Sequence, residues 1–208
     1  MSQETVVLVH GLYLNGADMT LLKHRLEQSG FRTRRFSYPS LKSTPRESAM
    51  DLQTFAESLP DPVIHFVCHS LGGLVVRHLF DAYPEQRPGR IVTLGTPHNG
   101  SSAALRLLRY KGGRLLLGKS IQHGLKGDLP SWQGTHELGS IAGTLRLGLG
   151  MIIPGIPRPN DGTVAVSETR LEGMTDHIEL PVSHFGMLLS QRVAVQTARF
   201  LQYGHFRH

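Results

Sequence analysis

The chain has 208 residues, 39% of them hydrophobic and 18% charged, which suits one domain over 1–208 with a sizeable buried core. No apolar run approaches the roughly 20 residues that cross a bilayer, and a single cysteine, Cys68, excludes an internal disulfide and agrees with a reducing compartment. The net charge is +6, and most of the excess lies between Ser101 and His136, where Arg106, Arg109, Lys111, Arg114, Lys119 and Lys126 stand against one acid, Asp128. That segment predicts either a solvated basic surface or weak attraction to an anionic substrate or an anionic membrane surface. No basic motif interleaved with aromatics accompanies it, so no nucleic-acid partner is expected.

The chain starts M-S-Q-E-T-V-V-L-V-H-G, without the basic start and apolar stretch of a secretory leader, so a cytoplasmic location is expected. Residues 6–9 form a short continuous apolar run, as a strand buried on both faces would. A turn-rich loop over 11–16 leads to helical spacing over 17–28, with Met19, Leu22 and Leu26 in step and Gly30 ending it. A strand is predicted over 31–38, stopped by Pro39, and a helix over 45–58, with proline suited to its first turn. Next come a buried strand over 63–67, a helix over 72–81 and a strand over 91–94. This alternation predicts an α/β fold, a mostly parallel sheet with helices on both faces. After Gly95 the pattern changes. The stretch 101–136 is glycine-rich, basic and leucine-rich, an excursion from the sheet with one or two short helices such as 103–110. A strand over 138–142 resumes the alternation, followed by a long Gly/Pro loop, a strand over 178–182 and a final helix over 187–203.

The stretch V-C-H-S-L-G-G-L, ending at Leu74, falls between a predicted buried strand and a predicted helix. It is close to G-x-S-x-G, the sharp turn that lifts a serine above the C-terminal edge of a sheet, with Cys68 in place of the first glycine. Positions two before and two after the serine must be small for so tight a turn. Gly72 meets that need fully and Cys68 tolerably. Ser70 is therefore the expected nucleophile, with the N-terminus of the next helix facing developing negative charge. Cys68, at the end of a buried strand, is expected to pack as a small hydrophobe.

Several blocks, V-V-L-V-H-G-L, C-H-S-L-G-G, T-L-G-T-P-H-N-G-S, N-D-G-T-V and S-H-F-G-M-L, occur in the order in which the α/β-hydrolase superfamily carries them. The chain resembles that superfamily, and within it the lipase-like branch of bacterial triacylglycerol lipases and bacterial relatives of glycosylphosphatidylinositol deacylases. The resemblance implies a minimal version of the fold, with about six strands and a cap or lid formed by 101–136. It implies a catalytic histidine at His184, between the last strand and the last helix, and an acid at Asp161 in an N-D-G turn. The order Ser70, Asp161, His184 is the one this fold requires. Asp176 precedes the last strand, at its far end, and Asp128 belongs to the excursion. His10 and His98 are expected to shape loops by hydrogen bonding, and His69 to pack beside the nucleophile.

An oxyanion needs donors, and the backbone N–H groups of Leu71 and Leu12 are the expected pair. Tyr13 beside Leu12, and Leu105 and Leu108 in the excursion, are candidate substrate contacts; the excursion's leucines could equally just pack the cap. Some bacterial lipases hold calcium through an aspartate two residues after the catalytic histidine. Gly186 stands there, so no metal is expected, and the absence of CxxC, HExxH, GxGxxG and P-loop motifs predicts no cofactor. The implied activity is a serine esterase or lipase acting on a small-molecule or lipid ester through an acyl-enzyme. The same residues would serve an acyltransferase or thioesterase, and a non-catalytic lipid-binding member of the fold is a further alternative.

Overall fold

The computed structural model describes residues 4–148 and 155–208. Its sheet contains β1 (Glu4–Val9), β2 (Arg32–Phe36), β3 (Val63–His69), β4 (Ile91–Leu94), β5 (Leu138–Gly143) and β6 (Asp176–Leu180). The spatial order is β2-β1-β3-β4-β5-β6, and every neighbouring pair is parallel. All six C-terminal strand ends therefore share one edge, and the loops leaving it converge there. The helices are α1 (Thr20–Gln28), α2 (Pro45–Glu57), α3 (Leu71–Ala82), α4 (Ser102–Leu107), α5 (Gly113–Leu117), α6 (Gly186–Leu189) and α7 (Gln191–Tyr203).

Two apolar layers explain the continuous apolar strands. Val7 and Val9 of β1 point into a core shared with α2 and α3, through Leu52, Leu74 and Leu79. Val6 and Leu8 point the other way, into a core shared with α1 and α7 through Leu22, Leu26 and Phe200. A strand with successive side chains on opposite faces must be apolar at every position when both faces are covered. α2 starts where its sequence dictates. The Thr44 side chain accepts from the Glu47 N–H at 3.1 Å, the Glu47 carboxylate accepts from the Thr44 N–H at 2.8 Å, and Pro45 occupies the first turn.

Most element boundaries lie within about two residues of the sequence expectation, and three differences at the sheet edges and the C-terminal helix stand out. β2 is shorter than 31–38. The last strand, expected over 178–182, lies two residues earlier. The helix expected over 187–203 is interrupted at Ser190, whose backbone is extended (φ −80, ψ 124) and whose hydroxyl accepts from the Val193 N–H at 3.3 Å to begin α7. Serine favours a cap over a helix interior, and here the cap wins. Part of the Gly/Pro loop expected after β5 lies outside the described residues.

The excursion leaves the sheet after β4 and packs on the α2/α3 side, burying Ala104, Leu117, Ile121 and Leu125 in that core. One buried side chain fastens both its ends. The Arg77 guanidinium, on α3, donates to the His98 carbonyl at 2.6 Å and to the Pro130 carbonyl. Burial lowers its pKa to about 10. His78 on the same helix donates from Nε2 to the His123 carbonyl at 2.6 Å. Among the described residues no helix is long and apolar enough to cross a membrane.

Candidate active site

β3 ends at His69 and α3 begins at Leu71, so the chain reverses at Ser70 alone. Ser70 has φ 53 and ψ −120, a strained conformation for a residue with a side chain. The neighbouring glycines allow it. A Cβ on Gly72 would lie 2.4 Å from the Val9 carbonyl oxygen, and one on Gly73 would lie 2.3 Å from Thr96 Oγ1. Ser70 donates its N–H to the Leu94 carbonyl at 2.9 Å, and its own carbonyl accepts from the Thr96 hydroxyl at 2.8 Å. Cys68 is fully buried in the α2/α3 core, and burial pushes its thiol pKa well above the ordinary value. A neutral, enclosed thiol cannot act as the nucleophile.

Asp161 and His184 meet at the same edge. The His184 Nδ1–H donates to Asp161 Oδ2 at 2.6 Å, which leaves Nε2 as the ring's acceptor. Asp161 Oδ1 accepts from the N–H groups of Thr163 at 2.8 Å and Val164 at 2.7 Å, so both carboxylate oxygens of this fully buried side chain are engaged. The His184 N–H also donates to the Asp161 carbonyl at 2.9 Å, joining the two loops by backbone. Asn160 shapes the turn, its amide donating to the Pro157 carbonyl and its oxygen accepting from the Gly162 N–H.

Two further residues support the pair; His69 is expected from the sequence to pack beside the nucleophile, whereas Gly95 carries no such signal. Gly95 has φ +58, and a Cβ there would stand 3.0 Å from both Asp161 Oδ2 and His184 Nδ1, so any side chain would press on the pair. His69 donates from Nε2 to the His184 carbonyl at 3.0 Å, and its ring lies 4.7 Å from the His184 ring. Burial lowers the His69 pKa to about 3, so it stays neutral. His10 donates from Nδ1 to the Gly11 carbonyl at 2.8 Å, accepts from the Tyr38 N–H at 3.2 Å and stacks on the Tyr38 ring, fixing the loop after β1. His98 is likewise buried, with its pKa lowered to about 3, beside Thr93.

Ser70, His184, Leu12 and Leu71 all line one cavity of about 430 Å³. The Leu71 N–H, first in α3, has no acceptor within its helix. The remaining walls are mainly apolar, formed by Pro97, Ala104, Leu107, Leu116, Leu117, Leu125 and Val164. Tyr13 is also part of the wall. It has φ 64, and its hydroxyl donates to the Leu116 carbonyl, joining the loop after β1 to the excursion.

Leu105 and Leu108, expected as substrate contacts, do not line the cavity. The short α4 turns Ala103, Ala104 and Leu107 inward, which leaves Leu105 on the solvent side, and Leu108 packs against the α2/α3 core. Leu107 and Leu116 stand where those two were expected. Asp176 sits at the opposite edge of the sheet and accepts from the Phe206 N–H and His208. Asp128 accepts from the N–H groups of His123 and Gly124. Among the described residues no group of three or more His, Cys, Asp or Glu side chains is arranged to hold a metal.

A profile described as "Alpha/beta hydrolase family" matches residues 6–197. No curated protein matched the chain. Among solved structures, the mature form of lipase BlEst2 from Bacillus licheniformis shares 18% identity, with 96% of this chain and 91% of that one covered at a TM-score of 0.72. Phospholipase PlaB from Legionella pneumophila, in complex with thio-NAD, shares 17% identity at a TM-score of 0.72; 97% of this chain matches 59% of the phospholipase. A pyrethroid hydrolase from Sphingobium faniae JZ-2 shares 13% identity over 96% of this chain and 98% of its own, at a TM-score of 0.65. At these identities the likeness is one of fold.

Proposed function

Because this chain belongs to the alpha/beta hydrolase family, we propose that it is a serine hydrolase of carboxylic esters working through an acyl-enzyme. The observation that carries this reading is the Asp161–His184 pair at 2.6 Å, whose histidine lines a cavity that the strained Ser70 also lines. Ser70 Oγ attacks the ester carbonyl carbon while His184 Nε2 takes the hydroxyl proton. Asp161 keeps Nδ1 protonated, so that Nε2 is free to accept, and stabilises the imidazolium that forms. The oxyanion lies against the N–H groups of Leu12 and Leu71, each donor contributing roughly 3–4 kcal/mol in the transition state. Collapse expels the alcohol, which takes its proton from His184. Water then attacks the acyl-enzyme by the reverse sequence, releasing the acid and restoring Ser70.

The apolar walls suit the hydrocarbon part of an ester, and the structural neighbours named lipase and phospholipase support an ester or lipid substrate. The test is hydrolysis of p-nitrophenyl esters from acetyl to palmitoyl by wild type and Ser70→Ala, with fluorophosphonate labelling followed by peptide mapping. The expected result is turnover and labelling at Ser70 in wild type, with both lost in Ser70→Ala. Full activity in Ser70→Ala would refute the assignment.

A further inference from the structure

We propose that the outer face of the excursion is a docking surface for an anionic lipid bilayer, holding the cavity against the membrane. The proposal deepens the ester-hydrolase reading by naming the form in which its substrate is met, a lipid ester in a negatively charged leaflet. α5 divides by side: Leu116 and Leu117 line the cavity, whereas Leu115 between them and Arg114 is 85% exposed. Gly113 lies so close to the Leu107 carbonyl that α4 and α5 form one thin layer. That layer also exposes Leu105 and Tyr110. An isolated exposed leucine needs no explanation, but several beside one cavity mark a site of association.

The charge identifies the partner. Arg109, Lys111 and Arg114 are exposed on this layer, and among the described residues none has an ion-pair partner. Asp128, the stretch's one acid, is engaged with the N–H groups of His123 and Gly124. A second copy docked through this face would set like charges against each other. An anionic bilayer accepts both features at once, with leucine entering the acyl boundary and the basic groups at the headgroups. An acyl chain then passes from lipid into the apolar cavity beside Leu116 without crossing water.

The test is vesicle flotation of the full chain carrying Ser70→Ala, which separates binding from turnover. Vesicles of phosphatidylcholine alone are compared with vesicles mixing phosphatidylcholine and phosphatidylglycerol. The expected result is flotation with the mixed vesicles only, reversed by salt. Each basic group near such a surface contributes roughly fivefold in partition, so Lys111→Glu with Arg114→Glu should lower binding by at least about 25-fold. Leu115→Asp should also weaken it, while each change on the active background leaves turnover of a soluble short-chain ester as in wild type, reporting an intact fold. Vesicle binding without any ester turnover would support the surface and sink the hydrolase reading instead. No binding to mixed vesicles, equal binding to both kinds, variants that bind like wild type, or a dimer that Leu115→Asp dissociates would each overturn the proposal.

Discussion

Replacing Asp161 by asparagine would separate the electrostatic role of this residue from its structural one. The asparagine oxygen can keep the two bonds from the Thr163 and Val164 N–H groups, at 2.8 and 2.7 Å in the native chain. Its amide NH2 then stands where Oδ2 accepted from His184 Nδ1 at 2.6 Å. Two donors cannot face each other, so the imidazole moves its proton to Nε2 and can no longer receive one from Ser70. Turnover should fall by about 10⁴, equivalent to roughly 5–6 kcal/mol in the barrier. KM should change little, since Asp161 does not line the cavity. Stability should hold within about 2 kcal/mol, because the buried N–H groups remain paired. Alanine would instead leave those groups unsatisfied at about 1–3 kcal/mol each. Steady-state hydrolysis of the best p-nitrophenyl ester, with a thermal melt alongside, measures both quantities. A variant keeping more than about a tenth of wild-type kcat (under ~1.4 kcal/mol lost) would show that Asp161 does not set the tautomer.

Two further perturbations test the scaffold. Gly72→Ala places a Cβ 2.4 Å from the Val9 carbonyl; this overpacking should destabilise by about 2–3 kcal/mol and lower Tm by roughly 5–10 °C, and an unchanged melt would mean that the elbow is looser than described. His69 and His98 have pKa values lowered by burial from 6.5 to about 3, so below pH 6.5 the unfolded chain binds protons that the folded chain refuses. Stability is thus complete above pH 6.5 and declines toward pH 3, by about 1.4 kcal/mol per pH unit per histidine once well below 6.5. Urea midpoints that stay constant between pH 7.5 and 5 would contradict this.

The sheet was legible because its central strands are short continuous apolar runs set between turn-rich segments. A run such as Val6–Leu8–Val9 is apolar at every position only when both faces are covered. The elbow was legible because so sharp a turn demands small residues two before and two after Ser70, where Cys68 and Gly72 stand. The excursion was not. Helices as short as α4 and α5 hold too few turns for a period to emerge, and so Leu105 and Leu108 were chosen where Leu107 and Leu116 face the cavity. The bond from His69 to the His184 carbonyl joins residues far apart in the chain, and no local pattern announces it. The restart at Ser190 turned on a single hydroxyl whose cap outweighed an otherwise helical spacing.

Arg77 has a consequence for how this protein can change. Its guanidinium holds the His98 and Pro130 carbonyls together, so a residue of the scaffold helps to close the base of the excursion, alongside the excursion's own bond from the Ser101 N–H to the Leu125 carbonyl. Loop-closure entropy grows only with the logarithm of length, about 0.6 kcal/mol per doubling. Segments of different length can therefore be accommodated between those two points at small entropic cost, provided that they fill the core positions held by Ala104, Leu117, Ile121 and Leu125. For the proposed hydrolase, the wall of the cavity becomes a part that can vary, and Arg77 is its socket.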